Sequence, residues 1–515
     1  MRAPFRVAAV SAVGIVTLAA CVANPGSPPV VEHSAETPSS STTTTTTTTT
    51  PPADDNADEE RSTVAIGVDP LSSGLNPHLR ANNSELVHGI ADLVLPSAFH
   101  GGQMDTDVLD SAAEVPAPDG VAQRVRFVIS DAAQWSDGTP ITGADFEYLW
   151  RSMVDTPDAV GASGYRAIKD VRTSKGGRIV TVDFDHYVTD WRILFTHLLP
   201  SHLVKDEDFS SVLAQGIPAS AGAFLVDSVD RGRGVITLNR NDRFWGENPA
   251  KVDVVQLRFI RSSTQAVDMV RSGQIEAADL TPGETTVESL ELIPDIDTHV
   301  VQCPRQLRLH MGEQLGDVEE RRDLASLVDT EQLARLATGR SNHLEPARGG
   351  KAVIGERDLR ALRERAELRP VRIAADPSDA VANAAAHTLA DVLAQHDIAA
   401  TVEEERLSTI TSRLNPAGAV DAYFAWDDTF ATSFSVGDDV VCALDHDTDS
   451  EPCPAETPEY VWDVLAGAVP AEEAAERVAR FAEAAAVRVP ILNETRLRVG
   501  DLDVRGVAGW EGAEK

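Results

Sequence analysis

Positive charge is what this chain has least of. Against 81 Asp and Glu it carries 45 Lys and Arg, a net charge of −36 over 515 residues. That balance excludes an electrostatic grip on nucleic acid or on an anionic lipid surface. Cysteines are few, four in all, and none are spaced as the CxxC-like pairs that a zinc site wants. A GxSxG elbow, an HExxH helix and a phosphate-binding P-loop are all missing. No catalytic residue, cofactor or metal set is therefore expected, and the protein is expected not to be an enzyme. Past the first twenty residues no apolar run can span a bilayer, since a stretch such as Trp191 to Val204 is broken by Arg192, His197, Pro200 and His202.

The start of the chain does carry a signal. Arg2 and Arg6 precede an apolar run from Val7 to Ala20, which ends in Leu18-Ala19-Ala20-Cys21. Residues 1–20 read as a lipoprotein signal peptide, too short for a membrane span, with Cys21 the lipidated residue after cleavage. Residues 21–62 follow, rich in Pro, Ser and Thr with an unbroken run from Thr42 to Thr50. With almost no large apolar side chains this segment cannot offset the entropy of ordering and is expected to be a disordered tether. The expected location is the extracytoplasmic face of the cell membrane, held by lipid. There Cys442 and Cys453 are expected to pair, closing a loop worth about 3 kcal/mol, with Cys303 left as a small buried side chain. Pairings through Cys303 stay open. Asp445, Asp447, Asp449 and Glu456 have the spacing of a calcium loop, but Ser450 stands where its glycine is needed.

From Thr63 the composition is that of a globular chain. Val125, Phe127 and Ile129 alternate with Arg126, Val128 and Ser130, which predicts a strand. Ser136-Asp137-Gly138-Thr139-Pro140 is a turn composition. Thr142 with Asp145 three residues on has the wording of a capping box. Phe146, Leu149, Trp150, Met153 and Val154 then share one helical face.

This strand, turn and capped helix, spelled Gln134 to Phe146, resembles the signature region of the family 5 extracytoplasmic solute-binding proteins, the receptors of peptide and nickel ABC importers. Other segments resemble the family in the same order: Gly74-Leu75-Asn76-Pro77-His78, Leu199-Pro200-Ser201-His202, Phe244-Trp245-Gly246, and Ser272-Gly273-Gln274-Ile275-Glu276. Order over residues 63–330 makes the resemblance specific. It implies an α/β fold of two lobes, the periplasmic-binding-protein-like type II architecture in its large, peptide-binding form. The lobes are expected at 63–300, with an inserted subdomain at about 101–184, and at 301–486, with 487–515 returning to the first. Val318 to Asp329 is similar to the charged helix that enters the second lobe. Val371 to Ala375, Leu389 to Leu393 and Asp421 to Trp426 suggest alternating strands and helices there.

Within the family, Leu93 to Phe99, Tyr148-Leu149-Trp150 and Val489-Pro490-Ile491-Leu492 are similar to the LpqW-type lipoproteins of mycobacteria and corynebacteria, a group implicated in the synthesis of envelope mannolipids. Two functions follow. One is a receptor that closes its lobes on a small peptide-like ligand for an ABC permease. The other is a regulator without transport, acting through a glycolipid-like ligand on a membrane mannosyltransferase. Either is expected to work as a monomer, attached to the membrane by its lipid and binding no nucleic acid.

In peptide-binding members a tryptophan closely followed by an aspartate pairs with the ligand's α-ammonium group, and the resemblance puts that role on Trp426, Asp427 and Asp428. The alternative for the two acids is a solvated turn. For a sugar-bearing ligand the same three residues would act with Asn76 and His78 at the cleft edge. His186, His197 and His202 are expected to make local hydrogen bonds rather than bind metal.

Overall fold

The computed structural model describes residues 61–157, 159–312, 314–348, 358–441 and 458–500. The expectations for Cys21, residues 1–20 and nearly all of 21–62, Cys442, Cys453 and the acidic loop from Asp445 to Glu456 lie outside the described residues.

One mixed sheet runs through both halves of the chain. Its strands are β1 (Thr63–Val68), β2 (Phe224–Asp230), β3 (Val235–Arg240), β4 (Val254–Phe259), β5 (Ala277–Leu280), β6 (Thr298–Met311), β7 (Glu345–Pro346), β8 (Val371–Ala375), β9 (Ala400–Glu404), β10 (Ala422–Asp428) and β11 (Arg488–Val499). Along the sheet the order is β9-β8-β10-β6-β11-β5-β1-β4-β3-β2, with β7 on β11. In one half β1 lies parallel to both β4 and β5. In the other β8 lies parallel to both β9 and β10. The long antiparallel pair β6 and β11 joins the halves. Two α/β layers with a shared spine result, the two-lobed arrangement that the resemblance implies.

The spine is not regular. Between Gln302 and Gln306 the register of β6 against β11 shifts, so Cys303, Pro304 and Arg305 bulge out of the ladder. Pro304 gives its carbonyl to the Thr429 amide at 2.7 Å instead. The bulge re-aims the strand where the chain passes from one half to the other.

Inserted in the first half is a four-stranded antiparallel sheet in the order Leu109–Glu114, Gln123–Ile129, Ile179–Phe184, Ile168–Ser174. The strand Gln123–Ile129 shows the predicted alternation, with Val125, Phe127 and Ile129 buried. Gly138 sits at φ 90°, a conformation that a residue without Cβ adopts without strain. The helix Gly143–Asp155 is capped as predicted: Thr142 Oγ accepts from the Ala144 amide, and the Asp145 carboxylate accepts from the Thr142 amide at 2.9 Å. Its buried face is narrower than the periodicity suggests. Phe146, Leu149 and Met153 are buried, while Trp150 is half-buried and Val154 exposed.

The second half has its own core, in which Leu307, Leu309, Leu324, Ile373, Leu389 and Phe424 pack between the sheet and its helices. The charged helix spans Val318–Ser326, ending before the predicted Asp329. Asp329 instead caps the next helix, its carboxylate accepting from the Gln332 amide at 2.9 Å. A larger difference concerns the boundary expected at 486. The helices Ser433–Val441, Pro458–Leu465 and Ala471–Ala484 put Phe434, Val461, Leu465 and Val478 into the core shared with the first half. In packing, this stretch departs from the second lobe to which the sequence assigned it.

Candidate ligand chamber

A cavity of about 690 Å³ opens between the end of β10, the start of β11, the helix Val318–Ser326 and the helices after residue 432. That volume is typical of a small-molecule site. One end is polar, with Arg80, Asn83, Arg308, Asp427, Asp428 and Arg488, and the other is lined by alanines and valines such as Ala325, Val328, Val478 and Ala482.

Asp427 is the centre of the polar end. It is 6% exposed, which rules out the solvated turn. Its carboxylate pairs with Arg80, and it lies 3.4 Å from the Arg308 guanidinium and 2.8 Å from Nε2 of His310. Arg80 comes from the short 3-10 turn Arg80–Asn82 of the first half. Arg308 and His310 stand on β6, next to β10, where Leu307 faces Trp426 and His310 faces Tyr423. Burial, and then the neighbouring Arg80, Arg488 and Arg308, hold His310 well below the usual histidine range, so it is neutral. It stacks on Tyr423 with ring centres 4.8 Å apart. Burial, then Arg488, pulls Arg308 down to about 10, which leaves it charged at neutral pH.

Asp428 accepts from the Asn83 side chain at 2.8 Å, and Asn83 in turn meets His88 at 2.8 Å. Arg488 pairs with Asp439 at 2.5 Å. Trp426 is half-buried with the Arg305 guanidinium 5.4 Å from its ring centre, and Arg305 pairs with Glu494 at 2.9 Å. The polar end thus presents ion pairs already formed. Such a surface suits hydroxyl groups, which both donate and accept. It suits a lone ammonium less, because Asp427 already has its cation.

Trp426, Asp427 and Asp428 therefore come together on the chamber wall. Asn76 and His78 do not line it. Asn76 is 1% exposed, with its amide donating to the Phe209 carbonyl at 2.9 Å and its oxygen accepting from the His78 amide at 3.2 Å. His78 Nε2 meets the His197 carbonyl at 2.9 Å, and burial pulls its pKa down to about 3. Both organise the loop whose chamber-facing residues are Arg80 and Asn83. Those two escaped the sequence reading; their only signal is a place a few residues past the Gly74–His78 segment. Of the three histidines expected to make local hydrogen bonds, His197 meets Asp92 and His202 meets Asp137, both at 2.7 Å, while His186 stacks on Trp462.

Comparison with known proteins agrees with this architecture. Residues 111–348 match the family described as bacterial extracellular solute-binding proteins, family 5 Middle. A protein of Mycobacterium tuberculosis (strain ATCC 25618 / H37Rv) named probable monoacyl phosphatidylinositol tetramannoside-binding protein LpqW is 33% identical over 352 residues, 65% of this chain and 52% of that protein. The match thus spans about half the length of that relative. The oligopeptide-binding protein OppA of Mycobacterium bovis is 30% identical over 181 residues, 33% of this chain and 30% of OppA. Among solved structures, Haemophilus influenzae OppA in complex with the peptide RPPGFSPFR superposes with a TM-score of 0.62 at 18% identity, covering 88% of this chain and 97% of that one. AppA of Bacillus subtilis with a nonapeptide gives 0.62 at 13% identity, covering 86% and 95%. These two likenesses speak for the fold alone. By sequence over residues 111–348, and by fold over most of its length, the chain is similar to the family 5 bacterial extracellular solute-binding proteins.

Proposed function

We propose that the protein is a lipid-anchored extracytoplasmic binding protein whose chamber takes the polyhydroxylated head group of a mannosylated phosphoinositide, the ligand class in the name of its LpqW relative. The observation that carries this reading is the pairing of Asp427 with Arg80. A peptide's α-ammonium would have to displace a guanidinium from a buried carboxylate, giving up one charge-assisted pair for each one made. A glycan asks for no such exchange. Its hydroxyls can donate to the carboxylates and accept from the guanidiniums of the Arg–Asp pairs without separating them, and Trp426 offers an apolar face. In this reading the protein acts by binding, without chemistry, and its partner is a membrane mannosyltransferase.

The importer reading keeps one support, the OppA relatives. In it the ligand is a small peptide and the partner an ABC permease. Thermal unfolding of the full chain separates the two. A ligand at a hundred times its dissociation constant stabilises by about 2.7 kcal/mol. Stabilisation by phosphatidylinositol mannosides and not by tri- to pentapeptides is expected, and the reverse pattern would sink the proposal in favour of peptide import.

A further inference from the structure

The helices that follow β10 join the two halves around the chamber by contacts made of the chain alone. Towards the inserted subdomain, Phe434 (3% exposed) seats its ring against Gly164, where a Cβ would meet the ring at 2.4 Å. A contact so close excludes every residue but glycine at 164 unless the ring moves. Ser163 Oγ donates to the Phe434 carbonyl at 2.8 Å. The Asp438 carboxylate accepts from the Gly161 and Ser163 amides at 2.6 and 2.7 Å. Ser433 Oγ donates to Asp190 at 2.7 Å. Farther along, the Thr189 amide donates to the Leu465 carbonyl at 2.8 Å, its hydroxyl to the Ala466 carbonyl at 2.7 Å, and His186 stacks on Trp462 at 3.9 Å.

The same helices hold the second half. Arg321 Nε donates to the Ala485 carbonyl and Arg322 Nη2 to the Ala484 carbonyl, both at 2.9 Å. Arg488 pairs with Asp439. A receptor that waits open for its ligand would leave such groups to water in the open state. Here they are packed as an interior: Val461, Val464 and Leu465 are at most 2% exposed and share a core with Tyr165 and Val188. Burying apolar side chains and pairing buried polar groups both favour keeping such an interface formed.

We infer that residues 433–441 and 458–484 form a strap that keeps the chamber assembled without any ligand, so that a ligand enters through the mouth beside Phe430 and Arg480 rather than by rotation of two open lobes. Phe430, 49% exposed on the chamber wall, marks that mouth. The strap does not depend on what the chamber binds.

Hydrogen exchange on the ligand-free full chain tests this. Among the described residues the amides of Gly161, Ser163 and Thr189 are bonded across the contact between the strap and the first half, so they report that contact directly. They are expected to exchange on the order of 100-fold or more below the unstructured rate, and not to slow further with mannotetraose. Gly164→Leu is expected to speed exchange at 161–166 and 433–439 by at least about tenfold while β4 is unchanged, with Asp438→Ala as the second variant should Gly164→Leu fail to fold. Rates near the unstructured limit in the wild-type chain, slowed by the sugar, would overturn the strap. So would variants whose exchange at these segments matches wild type.

Discussion

Arg80 and Asp427 stand 347 positions apart in the chain and pair on the wall of one chamber, a first-half turn bound to the end of a second-half strand. The pair links the two halves directly and decides what the polar end of the chamber can accept.

Removing that guanidinium should cost stability. Arg80→Ala leaves Asp427 buried with Arg308 at 3.4 Å and a neutral histidine. Breaking a buried pair costs about 3–5 kcal/mol, and since Arg80 is 29% exposed we expect about 2 kcal/mol here. Urea unfolding of Arg80→Ala, Asp427→Asn and the double variant measures it. The double variant should be less destabilised than the sum, and strict additivity would mean that the two groups do not couple.

Asp145 does more than cap its helix. One carboxylate oxygen accepts from the Thr142 amide, and the other accepts from the Ser201 amide at 3.0 Å and the Ser201 hydroxyl at 2.7 Å. Thr142→Ala removes a cap alone, about 1 kcal/mol. Asp145→Ala also strands two buried donors and should cost roughly 2–4 kcal/mol. Equal losses in denaturant titrations would argue that the link to Ser201 contributes nothing.

Acid should act in two opposite directions. Burial, offset by the two amides and by the charges of Arg166 and Arg80, pushes Asp438 up to about 6. A carboxyl raised above its unfolded value favours the folded state when protonated, so its contribution is lost as pH rises through about 6 and is full below about 4. His78, held near 3 by burial, works the other way: folding excludes its proton, and stability falls as pH drops below about 6.5. Melting temperatures of wild type minus Asp438→Asn should therefore grow between pH 7 and 5. The C2 proton of His78 should show no titration by NMR over the same range, and a midpoint near 6.5 would contradict its burial.

Cys303 should be inert in the native protein. It is 4% exposed and donates to the Glu85 carboxylate at 2.9 Å. Burial, then that hydrogen bond, pushes its thiol well above the usual range, and a thiol without thiolate character does not react. Ellman's reagent should find it only after denaturation, and rapid native labelling at Cys303, located by peptide mapping, would refute the placement.

The parts of the molecule legible in the sequence are the local ones. The alternation of Val125, Phe127 and Ile129, the turn at Gly138 and the box of Thr142 with Asp145 each depend on neighbours within a few residues, and each formed as its pattern predicts. The strands at Thr63–Val68, Val254–Phe259 and Val371–Ala375 lie where their apolar runs lie. The order of family-like segments carried the fold, because a collinear series reports topology without needing any contact.

What decided the chamber was assembly. Trp426, Asp427 and Asp428 sit on its wall because β10 pairs with β6. Asn76 and His78 are absent from it because their side chains are spent on the Phe209 and His197 carbonyls. Neither fact has a local cause. Sequence by itself determined which segments form strands and capped helices, through backbone preferences and periodicity that act over a few residues. Tertiary structure decided that Asp427 is buried against Arg80 and that Phe434 rests on Gly164, because burial and ion pairing depend on which distant segments share one small volume.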